Sequence, residues 1–144
     1  MFALRAAALL SALVLATAAH AQPAPRPPQP RQTDKIFPLG ATWIGMSLNG
    51  RPFAGDRPSF TIDQRLRATG FGGCRTFATT AIPMREQGLA VGPFHLTKKS
   101  CAKEVMDREE AFLVALRTAA KWDLQGSTLI VHTQNGELRF ERAL

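Results

Sequence analysis

Two cysteines constrain this chain more than any other feature, because they are the only ones it has and both sit in a single glycine- and threonine-marked stretch. That stretch opens Gly70-Phe71-Gly72-Gly73-Cys74-Arg75-Thr76-Phe77 and closes Thr97-Lys98-Lys99-Ser100-Cys101. In an oxidising compartment such a pair forms one disulfide, so the intervening strands must return position 101 to position 74. Whether the pair forms depends on where the chain is delivered.

The amino terminus supplies a destination. Met1 to Arg5 carries one positive charge, Ala6 to Ala19 is an apolar run broken by Ser11 and Thr17, and Ala19-His20-Ala21 presents small residues before Gln22. These are the three regions of a secretory signal peptide, expected over residues 1–21, with cleavage between Ala21 and Gln22. The run is shorter than the roughly 20 apolar residues a membrane helix needs, so no transmembrane segment is expected in the mature protein. The expected location is the periplasm or the exterior of a bacterium.

Residues 22–35 follow as a linker. Pro23, Pro25, Pro27, Pro28 and Pro30 remove backbone donors and leave little apolar bulk to bury, which predicts an extended spacer. Residues 36–144 are then the folded domain, long enough to bury a core without relying on the disulfide alone.

Within that domain the period is mostly two. Thr42 to Leu48 reads as a first strand, followed by Asn49-Gly50 as a turn. Ser59 to Asp63 and Arg65 to Phe71 read as a hairpin about Asp63-Gln64, with Phe60, Ile62, Leu66, Ala68 and Gly70 inward. Gly70 to Gly73 lacks the GK[ST] ending and the helix of a phosphate loop, and predicts a sharp bend or bulge instead. Thr76 to Ile82 and Leu89 to Phe94 are further strands, separated by a turn at Gln87-Gly88. Then the period changes. Asp107 with Glu110 reads as a capping box, and Phe112, Leu113, Leu116, Ala119 and Ala120 extend a helix to Lys121. Glu109 falls in the acidic first turn of that expected helix. Leu129 to Thr133 and Glu137 to Glu141 form a closing hairpin, with Asn135-Gly136 as its type I′ turn.

In this order the elements resemble the META domain family: an opening tryptophan strand with Leu48-Asn49-Gly50, Gly-x-x-Gly-Cys at Gly70 to Cys74, Thr-x-x-x-Cys at Thr97 to Cys101, a helix with Glu109 and Phe112-Leu113, and a final hairpin. The resemblance spans about Thr42 to Phe140. It implies an α+β domain in which a curved, mostly antiparallel and partly barrel-like sheet is crossed by one helix. It also implies an exported envelope protein, associated with stress, for which no catalytic residues carry over. One position departs from the pattern, Arg75 standing where the family usually has asparagine.

Chemistry-bearing motifs are sparse. No Cys-x-x-Cys, HExxH, GxSxG or Walker pattern occurs, and His95 and His132 are the only histidines after residue 21. A hydrolase therefore lacks a recognisable nucleophile, base and orienting partner. No enzyme activity, metal or cofactor is expected. The formal net charge of +7 survives leader removal almost intact, since only Arg5 is lost. In an exported protein this favours anionic envelope components over nucleic acid. Arg65, Arg67, Arg75, Lys98 and Lys99 are the candidate anion-binding residues, provided the two cysteine elements meet. The expected partner is an envelope protein or an anionic envelope component, bound by a monomer.

Closure of the loop between Cys74 and Cys101 is worth roughly 3–4 kcal/mol in the chain-entropy model. Reduction is expected to lower the unfolding free energy from urea titration by about that amount while leaving the protein folded in buffer, as read by far-UV circular dichroism.

Overall fold

A computed structural model describes residues 34–144. The expected leader and nearly all of the proline-rich linker lie outside the described residues. Ten strands and one helix follow. They are β1 (Thr42–Leu48), β2 (Arg51–Pro52), β3 (Ser59–Ile62), β4 (Arg67–Phe71), β5 (Thr76–Pro83), β6 (Leu89–Val91), β7 (His95–Leu96), α1 (Lys103–Arg117), β8 (Ala119–Gln125), β9 (Thr128–Thr133) and β10 (Gly136–Arg142). The main path of the sheet is β6-β5-β4-β3-β1-β10-β9-β8, with β2 added to β1 and β7 to β5. Every pairing is antiparallel.

The ends of this path nearly meet. Gly88 forms a bridge with Lys121, and Gln87 Nε2 donates to Trp122 O at 2.9 Å. The result is a nearly closed barrel, the α+β architecture implied by the sequence resemblance. Alternation along the strands produces its interior. In β3 Phe60 and Ile62 are buried, and Leu129 and Val131 of β9 face Phe140 and Leu138 of β10 across the ladder. α1 covers this inner face. Phe112 is fully buried among Phe53, Phe77 and Phe140, at ring separations of 6.0, 6.3 and 6.3 Å.

Several local expectations are corrected. α1 begins at Lys103, four residues before Asp107, and has no side-chain cap. Asp107 instead accepts from Lys103 Nζ at 2.6 Å, an i,i+4 pair on the helix surface. The helix also stops at Arg117, where the Thr118 hydroxyl bonds back to Val114 O at 3.0 Å. Ala119 to Lys121 leave the helix and join β8, paired with β9. Alanine's helix preference of a few tenths of a kcal/mol per residue is weak against a complete strand ladder that also buries Trp122.

The turns differ too. The β3–β4 connection runs Asp63 to Leu66, with Leu66 at φ 60° and the Asp63 carboxylate accepting from the amides of Arg65 and Arg67. Leu66 is thus a half-buried turn residue and not part of a strand. At Gln87-Gly88 the left-handed residues are Glu86 and Gln87, in a single 3-10 turn, whereas Gly88 has φ −66°. Gly136 pairs with Thr133 inside the ladder, so the hairpin loop is Gln134-Asn135 and not a type I′ turn on Asn135-Gly136. Glycine is needed at 136 for another reason: a Cβ there would lie 1.7 Å from Asn49 Oδ1, which accepts from Glu137 N.

Because Phe112 is the helix side chain set deepest in the aromatic cluster, Phe112→Ala is expected to cost about 3–5 kcal/mol in urea unfolding. Val114→Ala, on the exposed face of the same helix, is expected to stay within about 0.5 kcal/mol.

Candidate functional site

Glu109 lies on the buried stripe of α1, one turn before Phe112, and its side chain is 0% exposed. Its Oε2 accepts from Cys74 N at 2.9 Å and from Arg75 N at 2.6 Å, while Oε1 accepts from Arg75 Nε at 2.5 Å. The bend after β4 is shaped to admit this carboxylate. A Cβ on Gly72 would stand 2.7 Å from both Cγ and Oε2 of Glu109, and Gly73 has φ 126°. Burial raises the Glu109 pKa, but the amide and guanidinium donors of Arg75 and the amide of Cys74 outweigh it, and the carboxyl titrates below its usual range.

The same bend is held covalently. Cys74 and Cys101 form a disulfide with Cα atoms 6.1 Å apart, linking the bend to the segment that leads into α1. Thr97 prepares that segment: its amide donates to Thr76 O at 3.0 Å and its hydroxyl accepts from Thr76 N at 3.1 Å. The Gly-x-x-Gly-Cys and Thr-x-x-x-Cys elements are therefore two halves of one clamp. Arg75 takes part through both its backbone and its side chain.

The five candidate cations do not form one group. Arg75 is engaged by Glu109, and Lys98 and Lys99 lie in the segment preceding Cys101, with Lys99 at the cleft beside the disulfide. Arg65 and Arg67 lie at the other end of β4, at the Asp63 turn, where Arg67 pairs with Asp63 and stands opposite Thr80. Phe71, at the clamp end of β4, stands opposite Thr76.

The cleft has a volume of about 310 Å³. The disulfide and Phe71 to Gly73 form one wall, the loop from Phe53 to Pro58 another, and Val105 and Arg108 of α1 a third. Neither histidine lines it. His95 is exposed on β7, and His132 is exposed on β9 with Nδ1 3.6 Å from Glu137 Oε2. Among the described residues, no three His, Cys, Asp or Glu side chains gather as a metal site would require, and no helix is long and apolar enough to cross a membrane.

Sequence reasoning missed the role of Glu109 and the presence of Arg108 and the Phe53–Pro58 loop at this cleft. A signal for Glu109 was present: positions 109, 112, 113 and 116 share one helical face, so an acid occupies an otherwise apolar stripe. Glu109→Gln is expected to lower stability at neutral pH by about 3 kcal/mol, since it leaves a partly buried guanidinium uncompensated. The depressed pKa makes the ionised carboxylate stabilising above the unfolded value near 4.3, and that stability is lost as pH falls through the lower folded value. The gap between wild type and Glu109→Gln should therefore be constant above about pH 5 and shrink below about pH 4 in urea titrations.

Comparison with solved structures agrees with this fold. A protein from Burkholderia xenovorans, solved by NMR, aligns with a TM-score of 0.60 at 19% identity, covering 81% of this chain and 98% of that one. A second NMR structure aligns at 0.57 and 19% identity, covering 70% of this chain and 87% of the other. A crystal structure of a duf4847 family protein from Bacteroides vulgatus aligns at 0.52 and 13%, covering 69% and 90%. No curated protein matches the chain in sequence. The META domain profile matches residues 38–143, from just before β1 to just after β10, and so takes in the clamp, the helix and the closing hairpin. The chain belongs to the META domain family.

Proposed function

We propose that this META domain protein is exported to the bacterial periplasm or beyond, where as a monomer it binds an acidic component of the envelope and catalyses no reaction. Envelope support under stress belongs to the same reading. The observation that carries it is the disulfide: both cysteines of the chain are joined, in the wall of the cleft, as an oxidising compartment favours. The leader-like residues 1–21 agree with that destination.

The absence of catalysis rests on how the buried acid is used. A general base needs a pKa raised toward neutrality and a free lone pair facing substrate. Glu109 has a lowered pKa and spends both oxygens on Cys74 and Arg75. With the cysteines joined, no thiolate is available as a nucleophile.

Intact mass of protein recovered from the periplasm, with and without reductant and an alkylating thiol label, tests export and oxidation together. A chain starting at Gln22 that takes up no label until reduced is the expected result. Free labelling without reductant, or retention of residues 1–21, overturns the reading.

A further inference from the structure

Some cations in the described residues have acidic partners: Lys35 with Asp123, Arg57 with Glu141, Arg67 with Asp63, Arg75 with Glu109, Lys103 with Asp107, Lys121 with Glu86 and Arg139 with Glu137. Arg51, Lys99 and Arg108 form no ion pair and no side-chain hydrogen bond among the described residues, and they line adjoining depressions. Lys99 and Arg108 border the cleft beside the disulfide. Arg108 and Arg51 border a second depression of about 680 Å³, whose apolar surface comes from Leu48, Pro52 and Ala111. Phe53 lines both, so Phe53 and Arg108 form the ridge between them.

Phe53 is held in place, and the Arg108 side chain extends beside it. Phe53 N donates to Met46 O at 3.1 Å, and its ring packs edge-on against Phe112 at 6.0 Å. Arg108 Nη2 lies 3.9 Å from where a Cβ on Gly55 would stand, beside the loop that follows Phe53. Apolar surface rooted in the core is thus bordered by three free cations. Asp56 is the one carboxylate lining either depression, so the group carries a net excess of two positive charges. A single carboxylate ligand would neutralise half of that. A phosphate monoester carries about −1.5 to −2 at neutral pH and matches it, and a guanidinium can hold it with paired hydrogen bonds.

We propose that the two depressions form one site for a phosphate-bearing amphiphile, with its phosphate at Arg108 between Lys99 and Arg51 and its apolar body against Phe53, Leu48 and Pro52. The proposal rests on the reading of the chain as an envelope-binding domain and names the class of ligand. It also moves the anion site away from Arg65 and Arg67, which share neither depression, and from Arg75, whose charge is spent on Glu109.

The test is a titration of ¹⁵N-labelled oxidised protein, residues 22–144, with dihexanoyl phosphatidic acid kept below its micelle concentration. Inorganic phosphate and dihexanoyl phosphatidylcholine serve as the other probes. The expected result is saturable shifts at the amides of Phe53, Gly55 and Arg108 with phosphatidic acid, and much weaker binding of the other two. Arg108→Gln, an exposed substitution, should weaken phosphatidic acid about tenfold, the loss of a charge-assisted hydrogen bond. The Arg65→Gln/Arg67→Gln double variant removes more charge from the far end of β4, yet should change affinity by less than about twofold. Equal weakening by both variants means diffuse attraction to a basic protein and overturns the site. Inorganic phosphate binding as tightly as phosphatidic acid makes the ligand a free anion and overturns the amphiphile. Absence of binding by protein that is correctly exported and oxidised removes this site while leaving the export reading intact.

Discussion

The buried carboxylate of Glu109 is the interaction on which the arrangement of helix and barrel depends. An acid with no solvent contact is costly unless its charge is met by donors, and here two consecutive backbone amides and a guanidinium meet it. All three donors belong to Cys74 and Arg75, at the bend joining β4 to β5. The contact therefore ties α1 to one point of the sheet with a defined direction, and Phe112, a turn later, enters the aromatic cluster from there. Apolar burial drives the helix onto the barrel. The polar contact selects its position along the helix axis.

The disulfide reinforces the same point by a different physical route. It acts on the unfolded chain by closing the loop between Cys74 and Cys101, whereas Glu109 acts in the folded state through hydrogen bonds. Thr97 then holds the returning segment to β5 by main-chain and hydroxyl bonds to Thr76. Arg75 fits this account as well. A family asparagine at that position is absent, and the longer side chain here reaches Glu109 and adds a charged donor to the two amides. Its charge is consumed in doing so.

Strands whose burial alternates were legible in the sequence, because period two needs only the local pattern of β3, β9 and β10 to appear. The cysteine pairing was legible from the count of two and the leader-like amino terminus. Both helix ends were misread, for reasons that are not local. Asp107 resembles an N-cap, but pairs with Lys103 inside the helix; Ala119 and Ala120 suit a helix, but the ladder to β9 claims them. The Asn135-Gly136 turn failed because Gly136 is fixed by the Asn49 side chain, far away in sequence. The candidate site suffered from the same limit. Arg65 and Arg75 are close in sequence and lie at opposite ends of β4, while Arg51, Lys99 and Arg108 are distant in sequence and line adjoining depressions.

Charge in this protein therefore divides by use. The acid best placed inside the fold is consumed in positioning α1, which leaves it unsuited to moving protons. The cations at the edge of the clamp, Lys99 and Arg108, have no side-chain partners among the described residues and are exposed. These two sets meet at Cys74, whose amide serves Glu109 and whose sulfur helps to wall the cleft. Breaking the disulfide would free the segment carrying Lys99 from one side of the cleft, while the Glu109 contacts would still hold the Gly72–Arg75 bend on the other. The oxidised pair thus shapes one wall of the cleft as well as adding to the stability of the barrel.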